Sequence, residues 1–157
     1  MNLALFLDLD HTIIKPSSGG TFPTSIKDWE FLKGVTNVIK HHADRGYRII
    51  IVTNQGGIEA GHMTEEEFNV KALNITEELK KLGITVSKWY INKTLNEDDY
   101  SRKPNPGSAY EAALEFKLSL RYSIMVGDRN TDELLAKNAY IGTYYHINDF
   151  LKLSKDD

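Results

Sequence analysis

The stretch that decides the fold is "LALFLDLDHTI", residues Leu3 to Ile13. An apolar run, Leu3 to Leu7, reads as a buried strand and ends in two aspartates, Asp8 and Asp10, separated by one leucine. Residues two apart in an extended chain point the same way, so both carboxylates can face one pocket. A buried carboxylate without a partner is costly, and two neighbouring ones repel. A divalent cation is one way to hold both ionised. Magnesium suits that task, because it prefers oxygen ligands and commonly takes one or two carboxylates plus a substrate phosphate.

Working outward, strand and helix signals alternate. "VTNVIKHHADRG" places Val35, Val38, Ile39 and His42 on one helical face, and the β-branched run Tyr47 to Val52 stops at Thr53. A second helix opens with a capping box, Thr64 with Glu67. Its apolar stripe runs through Phe68, Ala72, Ile75, Leu79 and Leu82, and Gly83 ends it. Ile84 to Ile91 alternates like a strand, and Pro106 behind Asn105 marks a further helix start. Tyr122 to Val126 is another short strand, followed by Gly127 and Asp128, a helix near Asn130 to Asn138 and a last strand near Ile141 to His146. This alternation predicts an α/β fold, a parallel sheet with helices on both faces. Working residues in such sheets gather beyond the carboxyl ends of the strands. Three strands here end in Asp8, Thr53 and Asp128.

Composition narrows the function. The 157 residues suit one domain, 1–157, with no internal repeat or linker. Without cysteine there is no disulfide framework and no thiolate metal site, which fits a cytoplasmic or otherwise intracellular setting. The opening residues lack a basic n-region, and no stretch is long or apolar enough to span a bilayer. A net charge of −3 argues against a general electrostatic grip on nucleic acid, although one phosphorylated end needs only a few local cations. "KPSSGGTFPTS" (15–25) reads as a surface loop and "LSKDD" (153–157) as a frayed tail.

Three further pieces carry chemistry. In "IVTNQGGI", Thr53 supplies a hydroxyl and the turn from Asn54 supplies backbone N–H groups that can approach an anion. In "SRKPNPG", Lys103, with Arg102 beside it, can neutralise a phosphoryl oxygen. In "MVGDRNTDE", Asp128 offers another oxygen ligand and Asp132 lies in the first turn of a helix. The adjacent His41 and His42 point about 100° apart on a helix, so one packs and the other faces solvent, and the acidic "TEEEF" run is a helix start.

In this order, "DLDHT", "VTNQ", "RKP" and "GDRNTD" resemble the four motifs of the haloacid dehalogenase superfamily of phosphotransferases. The resemblance implies a Rossmann-like fold and a magnesium-dependent phosphomonoesterase. Asp8 would be the nucleophile that forms an aspartyl-phosphate, and Asp10 the general acid and base. The metal would be held by Asp8, the Asp10 backbone carbonyl and Asp128. Thr53, the Asn54 N–H and Lys103 would stabilise the transferring group, with Arg102 beside them for the substrate. Asp132 would support either the metal through water or Lys103 through a hydrogen bond. One departure is His11, at a position where the superfamily often has glycine.

Neither the interval from Asp10 to Tyr47 nor that from Thr53 to Lys103 has room for a cap domain. "SGGTFPTSIKDWEFLKGV" resembles the 3′-phosphatase domain of polynucleotide kinase/phosphatase, and so do "GYRIIIVTNQGGIEAG", "TEEEF" and "YSRKP". That implies a DNA, or RNA, 3′-phosphatase with a role in repair of ends. Phe22 and Trp29 would be the loop's aromatics, with Trp29 packing on the core. No GxxxxGK[ST] loop is present, so any polynucleotide kinase would be a separate partner. The alternative is a small-molecule phosphatase resembling the heptose bisphosphate and histidinol phosphate enzymes, which share "RKPNPG"-like segments. The cysteine-rich zinc loop that many of those enzymes carry is missing here. A non-enzymatic phospho-receiver domain also surrounds an aspartate with acids, Thr and Lys, but its accepting aspartate follows a middle strand of the chain.

Overall fold

The computed structural model describes residues 1–155. Its centre is β1, Ala4–Leu7, all four residues buried. β4 (Arg48–Asn54) and β6 (Ile124–Gly127) flank it in parallel, and β5 (Val86–Asn92) and β7 (Thr143–His146) complete a five-stranded sheet in the order β5-β4-β1-β6-β7. The apolar run has no polar alternation because both sides of the strand are covered. Leu5 and Leu7 pack with Val38 and Ile39 of α1 (Val35–Asp44), Phe68 and Leu79 of α2 (Glu65–Lys81) and Phe150 of α5 (Ile147–Phe150). Ala4 and Phe6 turn the other way, onto Ala109 and Ala112 of α3 (Gly107–Phe116) and Leu135 of α4 (Asn130–Asn138). Each such fully buried large side chain is worth about 1.5–3 kcal/mol.

Among the described residues the Rossmann-like sheet carries no separate cap. Between β1 and β4 lie only a small antiparallel ribbon, its loop and α1; the ribbon pairs β2 (Ile14–Lys15) with β3 (Glu30–Phe31). Between β4 and α3 lie α2, β5 and a loop. The ribbon is too short to leave a periodic signal in the sequence.

The remaining differences from the sequence reading are at element ends. Leu82 leaves the α2 stripe and is 49% exposed, because it is the C-cap; Ile84 is buried in its place and donates to the Leu79 carbonyl at 3.0 Å. Tyr122 belongs to a 3₁₀ turn (Leu120–Tyr122), so β6 starts two residues late. The tail expected to fray instead forms a 3₁₀ turn, Leu151–Lys155, with Leu151 and Leu153 against the core; residues 156 and 157 lie outside the described part. His42 is buried, as the helical face requires.

Register aligns the strand ends. Leu7 pairs with Ile51 on one side and Val126 on the other, so Asp8, Thr53 and Asp128 emerge together. From β1 the chain runs out through β4 to β5 and then crosses back to β6 on the other side of β1, which opens a crevice beyond the carboxyl edge.

Candidate active site

Asp8 leaves β1 with its N–H on the Val126 carbonyl at 3.0 Å. The chain then turns tightly: the Leu9 carbonyl accepts from Thr12, Ile13 and Ile14, and His11 adopts φ +59°. That left-handed conformation is one glycine adopts freely and other residues adopt at a cost. His11 therefore keeps the backbone shape of the turn, and its Nε2 lies 3.2 Å from the Thr21 carbonyl in the loop above.

Lys103 is the hub. It is 4% exposed, and its ammonium donates at 2.8 Å to Asp8 Oδ1, to Asp132 Oδ1 and to the Val52 carbonyl. All three of its protons are thereby used. Burial alone would lower the Lys103 ammonium, but the charges of Asp8 and Asp132 carry it above its ordinary value. Burial pushes Asp8 up; Lys103 opposes this, and the hydrogen bond with Asp128 adds to it. Asp132 is raised as well, by burial and then by the charge of Asp8. Its Oδ2 accepts from the Arg129 N–H at 3.1 Å, so both oxygens are engaged and the side chain orients Lys103 directly. Gly127 makes room for it: a Cβ there would stand 2.3 Å from Asp132 Cγ.

Asp8, Asp128 and Asp132 each offer an oxygen within 4.8 Å of the others. Acids this close repel, and a cation between them relieves that repulsion. An all-oxygen donor set of this kind fits a hard divalent ion. The Asp10 side chain stands apart from that group. It accepts from Gln55 Nε2 at 2.8 Å, and the same nitrogen donates to Thr53 Oγ1 at 2.9 Å. Gln55 thus ties the second aspartate to the buried threonine hydroxyl, whose own proton remains available for an anion. The sequence reading passed over Gln55; the signal was its place two residues beyond Thr53, on the same side of the chain.

Asn54 contributes more than its N–H. Its side chain donates to the Lys103 carbonyl at 3.0 Å and accepts from the Lys103 N–H at 3.1 Å. Arg102 is partly buried and bound to the Thr94 carbonyl at 2.8 Å, and it lines the same crevice as Asp8 and Lys103. That crevice, about 860 Å³, adjoins a second of about 760 Å³, and Asp10, Asn54, Gly56, Gly57 and Arg129 border both.

The second crevice is walled by the loop between β2 and β3, which is folded around one carboxylate. Asp28 accepts from Ser17 Oγ, from the Ser18 N–H and Oγ and from the Thr24 N–H and Oγ1, at 2.7–3.1 Å. These donors, the Thr24 N–H foremost, hold Asp28 well below the usual carboxylate range. The "FPT…DW" pattern is the trace of this knot. Trp29 packs against Phe31 and the core, whereas Phe22 is 79% exposed and borders the crevice.

Residues 2–144 match the profile of the family described as polynucleotide kinase 3 phosphatase. The D-glycero-beta-D-manno-heptose-1,7-bisphosphate 7-phosphatase of Helicobacter pylori (strain ATCC 700392 / 26695) is 35% identical over 142 residues, covering 89% of this chain and 80% of its own. The D-glycero-alpha-D-manno-heptose-1,7-bisphosphate 7-phosphatase of Campylobacter jejuni is 34% identical, covering 93% of this chain and 83% of its own. Among solved structures, that of D,D-heptose 1.7-bisphosphate phosphatase from B. bronchiseptica, complexed with magnesium and phosphate, superposes with a TM-score of 0.78. It is 24% identical, and the match covers 91% of this chain and 79% of that one. The two sequence relatives back the small-molecule alternative better than the polynucleotide expectation, and they leave the receiver alternative without support. Nothing in them supports a separate kinase partner or a role in DNA repair. No helix among the described residues is long and apolar enough to cross a membrane. The chain belongs to the polynucleotide kinase 3 phosphatase family, and it is a phosphatase.

Proposed function

We propose that the chain is a magnesium-dependent phosphomonoesterase of a small sugar phosphate, of the heptose 1,7-bisphosphate type, working through an aspartyl-phosphate. The observation that carries the substrate is kinship over nearly the whole chain: relatives matched across four-fifths of their own length are heptose-1,7-bisphosphate 7-phosphatases. The net charge of −3 also suits a small anion better than a polymer.

Asp8 is the nucleophile. Lys103 and the end of β1 hold its carboxylate, and one oxygen attacks phosphorus in line. An Asp8 oxygen–phosphorus bond forms as the ester oxygen–phosphorus bond breaks. Asp10, oriented by Gln55 through Oδ2, gives a proton to the departing sugar oxygen. It then takes one from the water that attacks phosphorus and releases Asp8 and inorganic phosphate. Thr53 Oγ1 and the turn N–H groups from Asn54 meet the charge on the transferring group. Arg102, which lines the crevice with Asp8 and Lys103, adds positive charge for the substrate's reacting phosphate. Asp8, Asp128 and the carbonyl of Asp10 would hold the magnesium, which lowers the repulsion between anionic nucleophile and anionic phosphate.

The polynucleotide reading keeps one observation in its favour, the family profile over residues 2–144. Comparison of kcat/KM for heptose 1,7-bisphosphate and a 3′-phosphorylated oligonucleotide decides between them. The expected result is a strong preference for the sugar; the reverse preference overturns the substrate assignment.

A further inference from the structure

The crevice beside Asp10 ends on a residue that the chemistry above does not use. Lys71 sits in α2 three residues after Phe68, on the face that packs against the core, and it is 3% exposed. A lysine so covered normally has a carboxylate or carbonyl on its ammonium. Lys71 makes no side-chain hydrogen bond or ion pair among the described residues, yet no fully covered side-chain nitrogen there is unsatisfied. Its ammonium must therefore keep a small contact with solvent. Lys71 lines the crevice of about 760 Å³, which it shares with Asp10, Gln55 and Phe22.

No carboxylate lies within ion-pair distance of its ammonium among the described residues. Glu67 borders the crevice one turn earlier, but its carboxylate accepts the Thr64 N–H in the capping box. Asp10 is engaged by Gln55. A cation kept nearly out of water with its donors unused is prepared for an anion that arrives with a ligand. The crevice joins the transfer site at Asp10 and Asn54, so one molecule can occupy both.

We propose that Lys71 binds a second phosphate of the substrate while the first lies against Asp8, making it a specificity residue for bisphosphates over monophosphates. This rests on the sugar-bisphosphate reading above. Phe22 and the Asp28-knotted loop would form the wall along which the sugar lies.

The test compares the ratio of kcat/KM for heptose 1,7-bisphosphate to that for heptose 7-phosphate in wild type, Lys71→Met and Lys71→Arg, with melting curves to establish folding. Wild type should favour the bisphosphate. Lys71→Met should cut the ratio about 10- to 100-fold, the size of a lost charge-assisted hydrogen bond, mostly through KM, and Lys71→Arg should restore part of it. An unchanged ratio in folded Lys71→Met overturns the role of Lys71 and leaves the sugar-bisphosphate reading standing. A wild-type ratio near one overturns the second-phosphate site altogether. If neither sugar is hydrolysed but a 3′-phosphorylated oligonucleotide is, the substrate reading and this proposal both fall. If Lys71→Met does not fold, Lys71→Gln takes its place under the same expectations.

Discussion

Asn54 holds Lys103 by its backbone: the side-chain amide donates to the Lys103 carbonyl at 3.0 Å and accepts from its N–H at 3.1 Å. The residue after Thr53 thus fixes a lysine 49 positions away. Asn54→Ala leaves two partly buried backbone groups unpaired and frees the lysine loop. Misplacement of a catalytic group can cost about 10²-fold in rate, and the fall should be in kcat. Steady-state kinetics check it; a wild-type kcat would show that the clamp is not needed.

Lys103 is balanced between two acids, and the variants should separate its catalytic from its structural part. Lys103→Met strands two buried carboxylates and should cost about 3–5 kcal/mol of stability. It should also lower kcat by at least about 10²-fold. The double variant Lys103→Met/Asp132→Asn should regain stability but not activity. Denaturant melts alongside kinetics measure both; recovery of activity in the double variant would contradict the role given to the lysine.

The Asp28 knot makes a pH-dependent contribution to stability. Its carboxyl is held below the unfolded value by five donors, so the contribution is complete above an ordinary aspartate pKa of about 3.9. It is lost as pH falls below that value toward the folded one. Asp28→Asn should therefore lower Tm at neutral pH, and the gap from wild type should narrow as pH drops below about 4. A gap that widens in acid would reverse the sign of the argument.

Much of this was legible in the sequence, and the losses have physical causes. The strands, the helices and the convergence of Asp8, Thr53 and Asp128 follow from periodicity and register. The β2–β3 ribbon escaped because two-residue strands have no period. Asp28, Gln55 and Lys71 escaped for another reason: what sets them apart is the bonds they make, or for Lys71 the lack of one, and spacing does not encode that. Spacing did not settle the substrate, because loop motifs such as "FPT…DW" report how a loop is knotted, not what passes beneath it; the relatives back the small-molecule alternative better than the polynucleotide reading.

His11 is a turn residue, and its substitution should show that. In His11→Gly, relief of the φ +59° conformation, worth about 1 kcal/mol, is offset by the greater freedom of glycine in the unfolded chain. Tm should barely move. Activity should fall by much less than the roughly 10²-fold expected for loss of a general acid. His11→Val, β-branched at positive φ, should be clearly destabilised. A large loss of kcat in folded His11→Gly would assign the imidazole a chemical part.

The account depends above all on Asp8 becoming phosphorylated. Acid-quenched turnover of heptose 1,7-bisphosphate with magnesium, followed by mass spectrometry of the peptide bearing Asp8, tests this directly. The prediction is one phosphoryl group on Asp8 in wild type and none in Asp8→Asn, which should also release no phosphate. An unmodified Asp8 during turnover, or an active Asp8→Asn, would contradict it.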